Sequence, residues 1–244
     1  MTSAIEPAAR GLFRDRWNDV EIHERIRAGE YEFVDFGSSQ GGSIDYCMRR
    51  FHARKGLGID LGADEVAEIR SRGFDAIQGD VLDFRCPSGS FRFVSMMDFL
   101  EHLPNLQAVE RALTTAKRVA RDFLFIRHPT FDDEPYLNSI GLKQYWTDWS
   151  GHPSKITLAE YTQMFERLEL SLYCLRFRTP AYDSADPVML PLSAPPDQLK
   201  FDLDLHGPRP EVVFPRPVWG QLDIFVALRS LELWEWKQIC AGFD

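Results

Sequence analysis

The sequence predicts an α/β fold built on a doubly wound, mostly parallel sheet. Short apolar runs alternate along the chain with segments whose apolar residues recur at helical spacing. Two of these runs end in polar turns: residues 31–36 lead into a glycine-rich loop, and residues 57–60 end in the carboxylate Asp60. Strands that alternate with helices are typical of a parallel sheet covered by helices.

The predicted strands are short apolar runs bounded by glycine, proline or charged residues. They cover residues 31–36, 57–60, 74–78, 91–96, 122–126, 170–177 and 221–228. The predicted helices cover residues 13–28, 44–51, 63–72 and 106–119, and a further helix begins after residue 157. Gly73 ends one helix and Pro104 precedes another, while Thr157 and Glu160 have the spacing of a capping box.

The span 179–217 is rich in proline and turn residues and is too long for a routine connection. We expect it to form a lid or a partner surface, or else to be disordered. The predicted organisation is a helical N-terminal extension, a cofactor-binding core, this insertion, and the last strand with a C-terminal segment. These four parts cover residues 1–30, 31–178, 179–217 and 218–244.

Size and composition are those of a globular protein. The 244 residues are 44% hydrophobic and 27% charged, with a net charge of −9 that disfavours nucleic acid as a partner. No apolar run approaches the length that spans a bilayer, and residues 1–10 lack the pattern of a signal peptide, so we expect a cytoplasmic protein. The sequence leaves a homodimer open, and the scattered cysteines indicate reduced thiols.

The loop after the first strand predicts a ligand site. Gly37, Gly41 and Gly42 allow a tight turn and a close approach of a ligand to the backbone. Asp60 follows about twenty residues later, where α/β folds hydrogen-bond a ribose diol. Ser39 stands where a dinucleotide-binding loop has its second glycine, so an adenosyl ligand without phosphates fits better than a dinucleotide.

Four segments in this order resemble the class I S-adenosylmethionine-dependent methyltransferases, over roughly residues 31–228. They are VDFGSSQG at 34–41, GID at 58–60, GDV at 79–81 and FVSMMDFLEHL at 93–103. The resemblance implies a Rossmann-like sheet of seven strands with an antiparallel last strand and helices on both faces. It also implies S-adenosylmethionine as the cofactor.

The resemblance further implies where the methionine end of that cofactor binds. Asp35 and the backbone of Gly37 and Gly41 would hold it, and Ser38 lies in the same loop. The backbone near Met97 would line the amino end. Ser39 departs from the glycine that the family carries at its position.

For the nucleoside end, the resemblance implies four residues. Asp60 would bind both ribose hydroxyls, and Leu61 would lie against the adenine. Asp80 would accept a hydrogen bond from the adenine amino group, while Val81 would offer its backbone N–H to a ring nitrogen. Without the resemblance, Asp80 reads equally well as an ordinary turn carboxylate.

Methyl transfer from a sulfonium requires the protein to position the acceptor and to manage its proton. Histidine is the side chain best suited to accept that proton near neutral pH. His128, after the fifth predicted strand, is our first candidate for the base. His152 and His102 are the other candidates. His102 belongs to the segment LEHL at 100–103, which by the resemblance more often shapes the cofactor pocket than supplies a base.

The acceptor is expected to meet a group of aromatic residues. Tyr145, Trp146 and Trp149 precede His152 and favour a flat or apolar acceptor, although packing explains such residues as well. Asp98 could orient a histidine or the acceptor. The consecutive acids at 132–134 are typical of a solvated loop, so we expect no metal.

The leading hypothesis is an enzyme that methylates a small molecule, with a hydroxyl of a natural-product or sugar-containing metabolite as the acceptor. A methyltransferase-like protein that binds a cofactor or a partner without catalysis is the first alternative. An RNA or protein methyltransferase is the second alternative. It is disfavoured by the charge and by Met97-Asp98-Phe99-Leu100, where such enzymes have an Asn-Pro-Pro-Tyr-like element.

Overall fold

The computed structural model describes residues 20–241. It contains a seven-stranded mixed sheet with strand order β3-β2-β1-β4-β5-β9-β7 and a separate two-stranded sheet, β6-β8. The strands are β1 (Phe33–Phe36), β2 (Gly56–Asp60), β3 (Asp75–Gln78), β4 (Phe91–Met97), β5 (Ala120–Pro129), β6 (Leu142–Gln144), β7 (Tyr173–Asp183), β8 (Met189–Pro191) and β9 (Val213–Ala227). The Rossmann-like seven-stranded sheet predicted from the sequence is confirmed.

Eight α-helices accompany the strands within residues 20–241. They are α1 (Val20–Arg27), α2 (Gly42–Arg50), α3 (Ala63–Ser71), α4 (Leu106–Val119), α5 (Glu134–Ser139), α6 (Leu158–Arg167), α7 (Leu203–His206) and α8 (Leu233–Cys240). None of these helices combines the length and the apolar character needed to cross a membrane. The part of the predicted N-terminal helix before residue 20 lies outside the described residues.

The chain divides into two compact units. Within the described residues, the first comprises residues 20–95 and 115–123, and the second comprises residues 96–114 and 124–241. In the first unit β1 pairs in parallel with β2 on one side and with β4 on the other, and β2 pairs in parallel with β3. All four residues of β1 are buried, as expected for an inner strand of a parallel sheet.

The second unit is dominated by a long antiparallel pair. Strands β7 and β9 stay paired from Tyr173↔Val226 to Asp183↔Val213, with an irregularity near Ala181. Beside this pair, α5 and the β6-β8 sheet contribute to a small core of their own. That core consists of Leu137, Leu142, Ala181, Met189, Phe214 and Val218.

The predicted element boundaries hold well up to β5 and less well beyond it. Helix α4 has the bounds predicted from its apolar stripe, and the capping box of Thr157 and Glu160 is confirmed. Strands β7 and β9 are longer than predicted and extend into the two ends of the proline-rich span, as far as Asp183 and from Val213. The span 179–217 also contains β8 and α7, so the structure gives it regular elements where disorder was one expectation.

Candidate functional site

In the first unit, two backbone amides hold the carboxylate of Asp60. The N–H of Ser39 donates to Asp60 Oδ2 at 2.8 Å, and the N–H of Gly62 donates to Oδ1 at 3.0 Å. Asp60 is the last residue of β2 and is partly exposed. Its oxygens have further lone pairs, so the carboxylate is oriented and still able to accept hydroxyl hydrogen bonds.

Ser38 stabilises the loop that carries Ser39. Its hydroxyl donates to the Asp35 carbonyl at 2.8 Å and accepts from the Ile59 N–H at 3.0 Å, which links β1 to β2. A Cβ on Gly58 would lie 2.9 Å from this hydroxyl oxygen, so the position requires glycine. Ser38 is 1% exposed and stabilises the loop through these two hydrogen bonds, and its role in cofactor binding stays a prediction.

The glycines of the loop contribute their backbone conformation more than free hydrogen-bond donors. Gly37 and Gly41 have φ of 69° and 78°, and Ser39 adopts φ of 45° despite its side chain. The N–H of Gly37 donates to the Ile59 carbonyl and that of Gly41 to the Ser38 carbonyl. The amides of Gly37 and Gly41 are therefore already hydrogen-bonded within the protein.

Asp35 lies beneath the loop with no exposed surface. Its Oδ1 accepts from the Ser95 hydroxyl at 2.6 Å, and its Oδ2 accepts from the Ser43 hydroxyl. Burial raises the pKa of Asp35 to about 6, although these hydroxyls partly oppose the shift. Through these hydrogen bonds Asp35 joins β1, α2 and β4, and its contact with the methionine end of the cofactor stays a prediction.

The residues expected at the nucleoside end differ in accessibility. Leu61, which follows the last residue of β2, is 58% exposed. Asp80 caps the short 3-10 helix Val81–Asp83 by accepting from the Leu82 N–H at 2.8 Å, so it does act as a turn carboxylate. Val81 is buried at 5% exposure. Met97 ends β4 and belongs to the second unit.

The second unit contains a cleft of about 430 Å³. Its lining combines aromatic, imidazole and carboxylate side chains with the backbone of β9. The lining residues are Asp98, Glu101, His102, Pro129, Tyr145, Trp146, Trp149, His152, Thr179, Val188, Leu199, Gly220 and Gln221. This volume is in the range of small-molecule sites, and we call the cavity the second-unit cleft.

His102 and His152 meet in this cleft, with ring centroids 4.9 Å apart. His102 belongs to the short 3-10 helix Leu100–His102, and His152 lies in the segment between β6 and α6. Nδ1 of His102 lies 2.7 Å from the Gly151 carbonyl oxygen, and Nδ1 of His152 lies 3.1 Å from that of Trp146. Burial lowers the pKa of His152, which keeps its imidazole neutral near pH 7.

Two carboxyl groups adjoin these imidazoles. Asp98, with φ of 47°, lies at the cleft and accepts from the Gln221 amide at 3.3 Å. The pKa of its carboxyl is raised because the cleft walls withdraw it from bulk water. Glu101 is 1% exposed, and burial raises its pKa well above the usual value. Sequence reasoning did not assign Glu101, although it is adjacent to His102 in the quoted motif.

His128, the first candidate base predicted from the sequence, is not among the residues that line the second-unit cleft. The side chain is 1% exposed and packs edge-on against Phe131 and Tyr161. Burial lowers its pKa to about 3, and its Nε2 has no hydrogen-bond partner. The position of His128 after a predicted strand suggested an accessible imidazole. In the structure, Tyr161 of α6 packs against this imidazole and covers it.

The aromatic residues divide into packing and lining roles. Trp146 is 6% exposed and donates from Nε1 to the Thr130 carbonyl at 2.9 Å, so it is largely structural. Tyr145 and Trp149 are half-buried and contribute more freely to the cleft surface.

The acids at 132–134 each have a protein partner. Asp132 accepts from the Leu158 N–H at the start of α6. Asp133 pairs with Arg216 at 2.6 Å, and Glu134 pairs with Lys155 at 2.7 Å. These contacts give the three acids structural roles.

Comparison with known proteins agrees with this architecture. The methyltransferase domain family matches residues 14–175, well over half of the chain. No curated protein matches this chain. Among solved structures, a SAM-dependent methyltransferase from Archaeoglobus fulgidus is 12% identical with a TM-score of 0.55, covering 91% of this chain and 100% of its own.

A second solved structure, the YcgJ protein from Bacillus subtilis, is 13% identical with a TM-score of 0.54. The match covers 85% of this chain and 97% of that protein. At these sequence identities the solved structures show only a shared fold. The match to the family model shows that the chain belongs to the family. The chain belongs to the methyltransferase domain family, among the class I enzymes whose cofactor is S-adenosylmethionine.

Proposed function

We propose that this enzyme transfers the methyl group of S-adenosylmethionine to a hydroxyl of a small, flat metabolite, such as a natural product or a sugar-containing compound. The observation that carries the proposal is the second-unit cleft. It combines the half-buried aromatic rings of Tyr145 and Trp149 with two imidazoles and Asp98. Apolar walls with a few convergent polar groups are typical of small-molecule sites.

In this proposal the first unit binds the cofactor. The preoriented carboxylate of Asp60 accepts hydrogen bonds from the ribose hydroxyls, because both of its oxygens are already fixed by backbone amides. Leu61, exposed at 58%, packs against the adenine. Asp80 retains lone pairs for the adenine amino group beyond its bond to Leu82, and Val81 offers its backbone N–H.

The second unit binds the acceptor. Its hydroxyl oxygen forms a bond to the methyl carbon while the carbon–sulfur bond breaks, which yields a methyl ether and S-adenosylhomocysteine. The hydroxyl proton passes to a basic group of the cleft. The groups available there are His102, His152 and Asp98. The raised pKa of Asp98 makes it a stronger base than an ordinary aspartate.

The span 179–217 acts as the lid of this cleft. Thr179, Val188 and Leu199 of the span line the cleft, and Leu199 is 65% exposed. An exposed leucine at the rim gains burial when an apolar acceptor enters. This favours a lid over a partner surface for residues 179–217 in the predicted organisation, in which residues 31–178 form the cofactor-binding core.

The test is methyl transfer from S-adenosylmethionine labelled with tritium on the methyl group. The acceptor panel contains phenols, glycosides, primary amines, a transfer RNA mixture and a histone mixture. We expect label on the hydroxyl compounds, reduced at least about tenfold by Trp149→Ala, which removes a wall of the cleft. Leu172→Ala, at an exposed leucine that does not line the cleft, is the control.

Other outcomes of the same panel contradict the proposal. Label confined to amines, RNA or protein would identify a different acceptor class. Cofactor binding by calorimetry with no transfer to any class would favour a non-catalytic binding protein. Equal transfer by the Trp149 variant and the wild type would remove the cleft as the acceptor site.

A further inference from the structure

We propose that Glu101, His102 and His152 form a binding site for a divalent transition-metal ion in the second-unit cleft. One potential ligand atom from each of the three side chains lies within 4.8 Å of the other two. All three residues line the same cleft. We call them the two-imidazole cluster.

The hydrogen bonds of both imidazoles fix the atom that each presents. Nδ1 of His102 faces the Gly151 carbonyl at 2.7 Å, and Nδ1 of His152 faces the Trp146 carbonyl at 3.1 Å. A carbonyl oxygen only accepts, so each Nδ1 carries the proton and each Nε2 keeps a lone pair. Histidines that bind metals characteristically donate their other ring N–H to a carbonyl or carboxylate in this way.

Glu101 supplies the second, independent observation. Its side chain is 1% exposed, and its Oε2 has no hydrogen-bond partner. His128 Nε2, at 3.9 Å, is too distant for a hydrogen bond and is itself unpartnered. Buried polar atoms without partners are rare in folded proteins, and an ion is one of the groups that satisfies them.

The backbone around the cluster holds the two contributing segments together. The Ser154 N–H donates to the Glu101 carbonyl at 3.1 Å, and the Ser154 hydroxyl donates to the Leu103 carbonyl at 2.7 Å. Ligand atoms on one such ion lie about 3 Å apart, so side-chain adjustments of less than about 2 Å complete the site. The backbone itself need not move.

The donor set selects the kind of ion. Imidazole nitrogens suit zinc, iron, cobalt and nickel, whereas magnesium and calcium prefer oxygen ligands. Three protein ligands leave at least one coordination position for an oxygen from the cleft.

This inference deepens the proposed function, on which its catalytic part rests. The ion would bind the acceptor hydroxyl and lower its pKa, as bound metals do for water. The two imidazoles would then hold the ion, and Asp98 would accept the hydroxyl proton.

Metal binding is tested directly, without turnover. The chelator-treated full chain is titrated with Co²⁺ while visible absorption is recorded, and with Zn²⁺ in a calorimeter. We expect saturation near one equivalent and ligand-field bands typical of mixed nitrogen and oxygen ligands. His152→Ala and Glu101→Gln should each weaken binding by at least about 100-fold, since even losses outside the ligand shell reach that size. His23→Ala, on α1, is the matched histidine control.

Two results overturn the site: no stoichiometric binding by the wild type, or wild-type affinity in both cluster variants. Calorimetric binding of S-adenosylhomocysteine by each variant verifies that it is folded. A variant that fails this check is replaced by His102→Gln or His152→Gln, for which the same loss is expected. Stoichiometric metal binding without methyl transfer to hydroxyls would leave the metal site standing and reject the proposed reaction.

Discussion

The backbone N–H of Ser39 donates a 2.8 Å hydrogen bond to the side chain of Asp60, 21 positions along the chain. This contact joins the glycine-rich loop after β1 to the end of β2. Ser39 reaches it with φ of 45°, a conformation that costs a serine more than a glycine. The loop thus keeps a left-handed residue at this position although the sequence has no glycine there.

We expect Asp60→Asn to weaken binding of S-adenosylmethionine by about 10- to 100-fold, the usual worth of a hydrogen bond to a charged group. The amide can still accept from one backbone N–H, but its NH₂ group faces the other. Isothermal titration calorimetry measures the change, with Asp64→Asn on the exposed side of α3 as the control. Unaltered affinity in the Asp60 variant would remove the ribose assignment.

Asp35→Asn should change how stability depends on pH. The native pKa of Asp35 is about 6, above the unfolded value near 3.9, so the native state binds its proton more tightly. Its contribution to stability is therefore greatest below about pH 4, declines as the pH rises to about 6, and is constant above that. The free energy of unfolding of the wild type minus that of the variant should fall across this window by about 3 kcal/mol.

Urea unfolding between pH 4 and pH 8 measures this difference, and Asp45→Asn on α2 is the control because Asp45 is only partly buried. A difference that is flat with pH, or that rises, would show that Asp35 is ionised in the native state throughout. The serine hydroxyls at Ser43 and Ser95 would then outweigh the burial of the carboxylate.

His128→Leu should reduce acid sensitivity. The native pKa of His128 is about 3, below the unfolded value near 6.5, so unfolding takes up a proton below pH 6.5. The stability that depends on neutral His128 is complete above that pH and is lost as the pH falls towards 3. The variant should therefore lose less stability than the wild type between pH 6.5 and pH 4, as followed by circular dichroism during urea unfolding. Equal losses in both proteins would argue for an exposed imidazole.

Asp223→Ala should destabilise the second unit by about 3–5 kcal/mol, because it removes the buried carboxylate that pairs with the Arg127 guanidinium. The Arg127 guanidinium donates to both oxygens of Asp223, at 2.7 Å and 3.0 Å, and the two residues are 8% and 2% exposed. The double variant Arg127→Met and Asp223→Leu should recover most of the loss. Thermal unfolding measures both, and a double variant no more stable than Asp223→Ala would contradict the pairing.

The sequence predicts the fold correctly in the region where the local pattern of each strand and helix agrees with how the strands pair in the sheet. Strands β1 to β5 are apolar runs, α2, α3 and α4 lie between them except between β3 and β4, and Asp60 ends β2 as predicted. For β7 and β9, proline misled the prediction. Pro180 lies in β7, which is an edge strand, where one side of the backbone needs no partner.

The sequence identified His102 and His152 as candidate residues, but it did not show that their side chains meet. His102 and His152 are 50 positions apart, and only the folded loops bring their rings to 4.9 Å. The imidazole of His128 is buried away from these two rings, because Tyr161 of α6 packs against it. Contacts of this kind depend on how α6 and the loops pack. The spacing of apolar residues along the sequence does not predict that packing.

The hydroxyl of Ser38, bonded to both β1 and β2, has a kinetic consequence. A loop anchored in this way has its shape before any ligand arrives, so binding need not wait for the chain to order. Association of the cofactor should follow a single exponential phase whose rate grows linearly with concentration and does not level off.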